Sequence, residues 1–242
     1  MKTLGLIGGT NWVSTVDYYK LINQEVNNRL GGLNSAKILL YSVNFEEFRP
    51  PTDPNEWGEV SKRLSNIAQR LENAGAECIV LCANALHMAA EIVQQNVHVP
   101  LIHIAEATAK EIKNNKLTRV GLLGTRITME QSFFKDKLLS YQIEALIPDR
   151  DEREFIHESI FSELAKGIFT QETKRRYLQI ITRFVAQGAQ GIVLGCTEIP
   201  LMITQEDCPV PAFNTMTSHA NAVVDFALES LSPHPHTDEE NH

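Results

Sequence analysis

Long apolar runs are missing from this 242-residue chain. Nothing in it approaches the ~20 consecutive apolar residues that cross a bilayer, which argues against a membrane protein. The opening residues, MKTLGLIGGT, are a short apolar run ending in glycines. They lack the longer apolar core and small-residue cleavage site of a secretory leader, so a cytoplasmic location is expected. Positive charge is also scarce: 22 Lys and Arg stand against 30 Asp and Glu, a formal net charge of −8. No basic stripe interrupts the acidity, so nucleic acid is a poor partner. Cysteine is limited to Cys78, Cys82, Cys196 and Cys208. In a chain of this length without a leader, these read as reduced thiols rather than a disulfide framework. No second His or Cys pair follows Cys78 and Cys82 at finger-like distance, so no metal site is expected.

What is present is a buried α/β pattern. Hydrophobic residues make up 43% of the chain, enough for one large domain or two modest ones. TLGLIGG (Thr3 to Gly9) reads as a buried strand and tight turn. Ser14 with Asp17 resembles a capping box, which predicts a helix to about Arg29. KILLYSV (Lys37 to Val43), CIVLC (Cys78 to Cys82) and VPLIHI (Val99 to Ile104) read as further strands. Leu64, Ile67, Ala68 and Leu71 mark one face of a helix that Gly75 stops.

Then the order restarts. RVGLLGT (Arg119 to Thr125) echoes TLGLIGG, and GAQGIVLGCT (Gly188 to Thr197) echoes GAECIVLCAN (Gly75 to Asn84). Two elements recurring in one order at nearly one offset imply a duplicated half. The expected fold is α/β: two similar doubly wound parallel-sheet lobes related by a pseudo-twofold axis, with a cleft between them. The first lobe is expected over residues 1–105 plus 214–231 and the second over 106–213, with a disordered tail at 232–242.

Open α/β sheets bind ligands at the carboxyl ends of their strands. Those ends carry Gly8, Gly9 and Thr10, then Cys82, Ala83 and Asn84, and in the second half Gly124 and Thr125, then Cys196, Thr197 and Glu198. GLIGG is not the G-x-G-x-x-G dinucleotide fingerprint, although a glycine turn before a helix also suits a carboxylate. Cysteine is a commonly buried residue, and Cys78 and Cys208 read as packing. Cys196 stands apart. It ends a buried strand before TEIP, where a helix start would favour its thiolate.

The stretches MKTLGLIGGTNWVSTVDYYKLIN, GAECIVLCANALH, GLLGTRITMEQSFF and GCTEIPLMI resemble the aspartate/glutamate racemase family, which works without pyridoxal phosphate. The resemblance covers roughly residues 1 to 230. It implies an isomerase without a cofactor, acting on an acidic amino acid such as aspartate or glutamate, and commonly a homodimer. One thiolate removes the Cα proton from one face, and a second thiol delivers a proton to the other. Position by position it makes Cys196 the second-lobe acid/base. It assigns Thr10, Asn84, Thr125 and Thr197 to the substrate's α-carboxylate and amino group. Lys166 matches a lysine aimed at the side-chain carboxylate, and Arg49 a second cation of the same purpose.

The chain departs from the pattern where the first-lobe catalytic residue belongs. The internal repeat and the resemblance both place Ala83 opposite Cys196, and alanine transfers no proton. Ala85 replaces a hydroxyl as well. Cys82 could compensate if a turn begins there, whereas in an extended strand it would point into the lobe core. Three readings follow: a racemase or epimerase centred on Cys196, a single-thiol decarboxylase-like lyase, and a non-catalytic or weakly active amino-acid binder.

Overall fold

The computed structural model of the chain describes residues 1–48, 51 and 56–229. Arg49 and the tail at 232–242 lie outside the described residues. In the first half the order is β1 (Thr3–Gly8), α1 (Trp12–Leu30), β2 (Lys37–Ser42), α2 (Trp57–Asn73), β3 (Cys78–Leu81), α3 (Ala90–Gln95), β4 (Leu101–Ile102) and α4 (Ile104–Asn114). The second half brings β5 (Arg119–Gly124), α5 (Arg126–Glu130), α6 (Ser132–Ser140), β6 (Glu144–Leu146), α7 (Arg150–Ser162), α8 (Gln171–Ala186), β7 (Gly191–Gly195), β8 (Ala212–Asn214) and α9 (Thr215–Leu228).

The strands form two four-stranded sheets, ordered β2-β1-β3-β4 and β6-β5-β7-β8, and every pairing is parallel. The strand order of the first sheet thus recurs in the second, as the sequence repeat predicts. The central strands are apolar on both faces because helices cover both. Ile7, Ile79 and Leu81 pack with Leu64, Ile67 and Leu71 of α2. On the opposite face Leu4, Leu6 and Val80 meet Tyr18, Ile22 and Val26 of α1 and Val223 and Val224 of α9. Burying each such aliphatic side chain contributes roughly 1.5–3 kcal/mol. The second sheet is sandwiched likewise, with α7 and α8 on one face and α4 and α6 on the other.

Two local expectations are corrected. The N-cap of α1 is Asn11, whose side chain accepts the Val13 N–H. Ser14 lies within the helix, buried, and its hydroxyl is used elsewhere. The VPLIHI strand is also shorter than its composition suggests. His103 accepts the Ala105 N–H and caps α4, so Ile104 is already helical. The turn after β1 requires glycine: Gly9 has φ +93°, and a Cβ there would stand 2.2 Å from the Val43 carbonyl oxygen. This tight turn delivers Thr10 and Asn11 to the carboxyl end of the sheet.

Candidate active site

The carboxyl ends of β1, β3, β5 and β7 meet around a cavity of about 310 Å³. Thr10, Asn11 and Trp12 enter it from the turn into α1, Ala83 and Asn84 from the end of β3, and Cys196, Thr197 and Glu198 from the end of β7. Both halves of the chain therefore wall one site, and Ala83 and Cys196 line it from different sheets. A second cavity of about 680 Å³ adjoins it, sharing Phe45, Ala85, Thr125 and Phe161 and adding Arg126, His157 and Glu158. The larger space holds none of the thiols, so the chemistry belongs to the smaller one.

The Cys196 thiol donates to Glu198 Oε2 at 2.8 Å, and Thr197 Oγ1 donates to the same oxygen at 2.8 Å. Asn11 Nδ2 donates to the other oxygen, Glu198 Oε1. Ser14 Oγ donates to Thr197 Oγ1 at 2.8 Å, which leaves the threonine proton for Glu198. Glu198 is a buried carboxylate that collects a thiol, a hydroxyl and an amide from two lobes. Burial raises the Cys196 pKa well above the ordinary thiol value, and the adjacent Glu198 charge and its hydrogen bond raise it further. The expectation of a resting thiolate is therefore reversed. The segment after Glu198 is a single 3-10 turn, Ile199–Leu201, and its backbone donors do not offset a buried anion next door.

Two buried polar atoms lining the same cavity lack a partner within the protein: Thr10 Oγ1 and Asn84 Oδ1. The orientation of Asn84 follows from its neighbours. Thr215 Oγ1 donates to the Leu194 carbonyl at 3.1 Å, so it accepts from Asn84 Nδ2 at 3.1 Å and the amide oxygen is left over. A buried group without a partner costs roughly 1–3 kcal/mol, which a ligand that pairs with it recovers. One acceptor and one hydroxyl suit an ammonium and a carboxylate.

The remaining sequence candidates fall differently. Thr125 lines both cavities, with its hydroxyl 3.3 Å from that of Thr128. Lys166 is exposed and does not line the cavity, although its neighbour Ala165 does. Cys82 is corrected. The strand ends at Leu81 and Cys82 lies in the bend that follows, yet its thiol sits in the apolar core with Leu4, Leu6 and Tyr18, and burial pushes its pKa up. It does not line the cavity, so the compensating thiol has no geometric support. Sequence reasoning placed Glu198 at a strand end without giving it a role, and passed over Asn11. Their signal was position alone, two residues past Cys196 and at the end of the glycine turn.

His87 lies three residues past Asn84 and is buried. Its Nδ1–H donates to the Ala83 carbonyl at 3.0 Å, and its Nε2 accepts the Ile104 N–H at 3.1 Å. The ring holds the wall opposite Cys196 in place and is itself neutral, because burial drives its pKa well down.

Two parallel-sheet lobes thus wall a thiol–carboxylate pair in one cavity. The chain belongs to the Asp/Glu/hydantoin racemase family, whose model matches residues 7–223. A candidate Asp/Glu racemase structure from Yersinia pestis is 46% identical, with a TM-score of 0.90 over 94% of this chain and 100% of that one. An aspartate racemase homologue from Pyrococcus horikoshii OT3 is 36% identical, with a TM-score of 0.83 over 94% and 99%. The broad specificity amino-acid racemase RacX of Bacillus subtilis is 25% identical over 93% of this chain and 98% of its own length.

Proposed function

We propose that the protein exchanges the Cα proton of an acidic amino acid, as a racemase or epimerase whose working acid/base is Cys196 coupled to Glu198. The observation that carries this reading is the 2.8 Å contact between the Cys196 thiol and Glu198 Oε2 inside the shared cavity. At rest the thiol holds its proton and is a donor. To act as a base it first passes that proton to Glu198, and the thiolate then takes the Cα proton. The electron pair left on carbon delocalises into the α-carboxylate, where Thr10 donates a hydrogen bond. Asn84 Oδ1 accepts from the ammonium. Thr125 and Thr197 complete the polar wall.

Among the described residues, no cationic side chain lines the 310 Å³ cavity. The side-chain carboxylate of aspartate or glutamate is then met by Lys166, one residue from the cavity wall at Ala165. Ala83 supports a one-sided enzyme: proton exchange is fast on the enantiomer whose hydrogen faces Cys196, and inversion is slow.

Cα-deuterium exchange in heavy water on L- and D-aspartate and glutamate tests this. Exchange on one enantiomer, lost by ~10²-fold or more in Cys196→Ser, supports it, and Ala83→Cys is expected to raise inversion. Binding without exchange on either enantiomer leaves an amino-acid binder. Ala83 also favours a second reading, since a decarboxylase needs one proton donor only; carbon dioxide release from a malonate would select it.

A further inference from the structure

The thiol and its carboxylate sit in the second half of the chain, yet the start of α1, in the first half, holds that carboxylate in place. Glu198 Oε2 faces the Cys196 thiol and the Thr197 hydroxyl. The other oxygen, Oε1, meets Asn11 Nδ2. Resting on the proton-exchange reading above, we infer that Asn11 is a positioning residue that confines the mobile proton of Glu198 to the oxygen facing Cys196, where the thiol can recover it.

The Asn11 amide has one orientation. Its Oδ1 accepts the Val13 N–H at 3.0 Å as the cap of α1, so the nitrogen is left to face Glu198. Its backbone is held as well. The Asn11 carbonyl accepts the Thr15 N–H at 3.1 Å and the Thr15 hydroxyl at 2.9 Å, and that hydroxyl accepts the Gly9 N–H at 2.9 Å. An amide nitrogen donates and does not accept. A proton on Oε1 would therefore point at another hydrogen, whereas a proton on Oε2 points at sulfur. When the thiol ionises, the S–H bond breaks, the electron pair stays on sulfur and an O–H bond forms at Oε2; the return step reverses both. Ser14 supports the same oxygen from the same helix. It lies three residues beyond Asn11, and its hydroxyl donates to Thr197 Oγ1 at 2.8 Å, which turns the threonine proton toward Oε2. Among the described residues, the titratable side chains that bear on Cys196 are Glu198 and, from α8, Tyr177, which burial keeps neutral.

Asn11→Ser and Asn11→Asp separate this role from helix capping, because both keep a good cap and neither keeps the donor. Each is expected to retain the wild-type circular dichroism. Each is expected to lower kcat for Cα-deuterium exchange ~10-fold or more, the weight of one hydrogen bond to a charged group, with KM little changed. Alkylation of Cys196 by iodoacetamide, followed by peptide mass, reads the same contact without turnover. The amide N–H draws charge off Glu198, so its removal leaves more negative charge facing the sulfur. The pH at which alkylation begins is expected to rise by ~0.5 unit or more in Asn11→Ser. It is expected to rise further in Asn11→Asp, where a second negative oxygen replaces the donor. Wild-type kcat in either variant overturns the inference, as does an unchanged alkylation onset in both. A wild type that exchanges no Cα proton overturns the proposed function instead, and the alkylation onset alone then decides the role of Asn11.

Discussion

Acid should unfold this protein early, and the cause is a set of neutral histidines. His219 is completely buried, donates from Nε2 to the Ile102 carbonyl at 2.7 Å, and pairs its Nδ1 with the Tyr18 hydroxyl at 2.9 Å. With one nitrogen donating and the other accepting, the ring has no place for a second proton. Burial lowers its pKa from 6.5 to about 4. The folded pKa lies below the unfolded one, so the unfolded chain takes up the proton first. Stability is intact above pH 6.5 and falls as pH drops from there toward 4. Between pH 7 and pH 5, His219 alone removes about 2 kcal/mol. His87 is equally buried and bonded on both nitrogens, and burial holds its pKa well below 6.5, so it adds to the loss in the same direction. Urea denaturation at half-unit pH steps measures this, and His219→Gln is expected to reduce the pH 7 to pH 5 loss by about 2 kcal/mol. A wild-type stability flat across that window would refute the reasoning, as would an identical slope in the variant.

Other consequences are as direct. Glu198→Gln removes the charge that raises the Cys196 pKa, so alkylation of that thiol should begin at lower pH; burial is the larger cause, so the pKa stays above the ordinary 9.0. Cys82→Ala opens a small gap in the first-lobe core and should cost about 1–2 kcal/mol in denaturant titrations, while leaving Cα exchange unchanged; a loss of exchange without a loss of stability would return Cys82 to the site. Gly9→Ala places a Cβ against the Val43 carbonyl at φ +93° and should lower Tm by at least ~5 °C in a thermal scan.

Most of the sheet architecture was legible because it rests on periodicity and repetition. TLGLIGG and RVGLLGT end at equivalent points, and the strands stop there, at Gly8 and Gly124. The cavity-lining positions of Thr10, Asn84, Thr125, Cys196 and Thr197 followed from the rule that strand ends carry the site. The hydrogen bonds that organise it did not follow. Asn11 reaches Glu198 across 187 residues of chain, and Ser14 reaches Thr197 across 183. Such pairs leave no local pattern, so Ser14 looked like a cap and Glu198 carried no assigned role. The thiolate expectation failed for the same reason: a helix start can be guessed from TEIP, but a buried carboxylate 2.8 Å from the sulfur cannot. VPLIHI was misjudged at its end because the cap at His103 depends on an imidazole nitrogen that a hydropathy pattern does not register.

The helix α9 comes last in the chain yet seals the face of the sheet made first, where Met216, Val223 and Leu228 close over Leu4, Leu6 and Val80. During synthesis the early strands therefore wait, greasy side open, until nearly every other residue has emerged from the ribosome. A nascent chain stalled before Thr215 would carry that uncovered sheet as a sticky flank, a natural hold point for a chaperone.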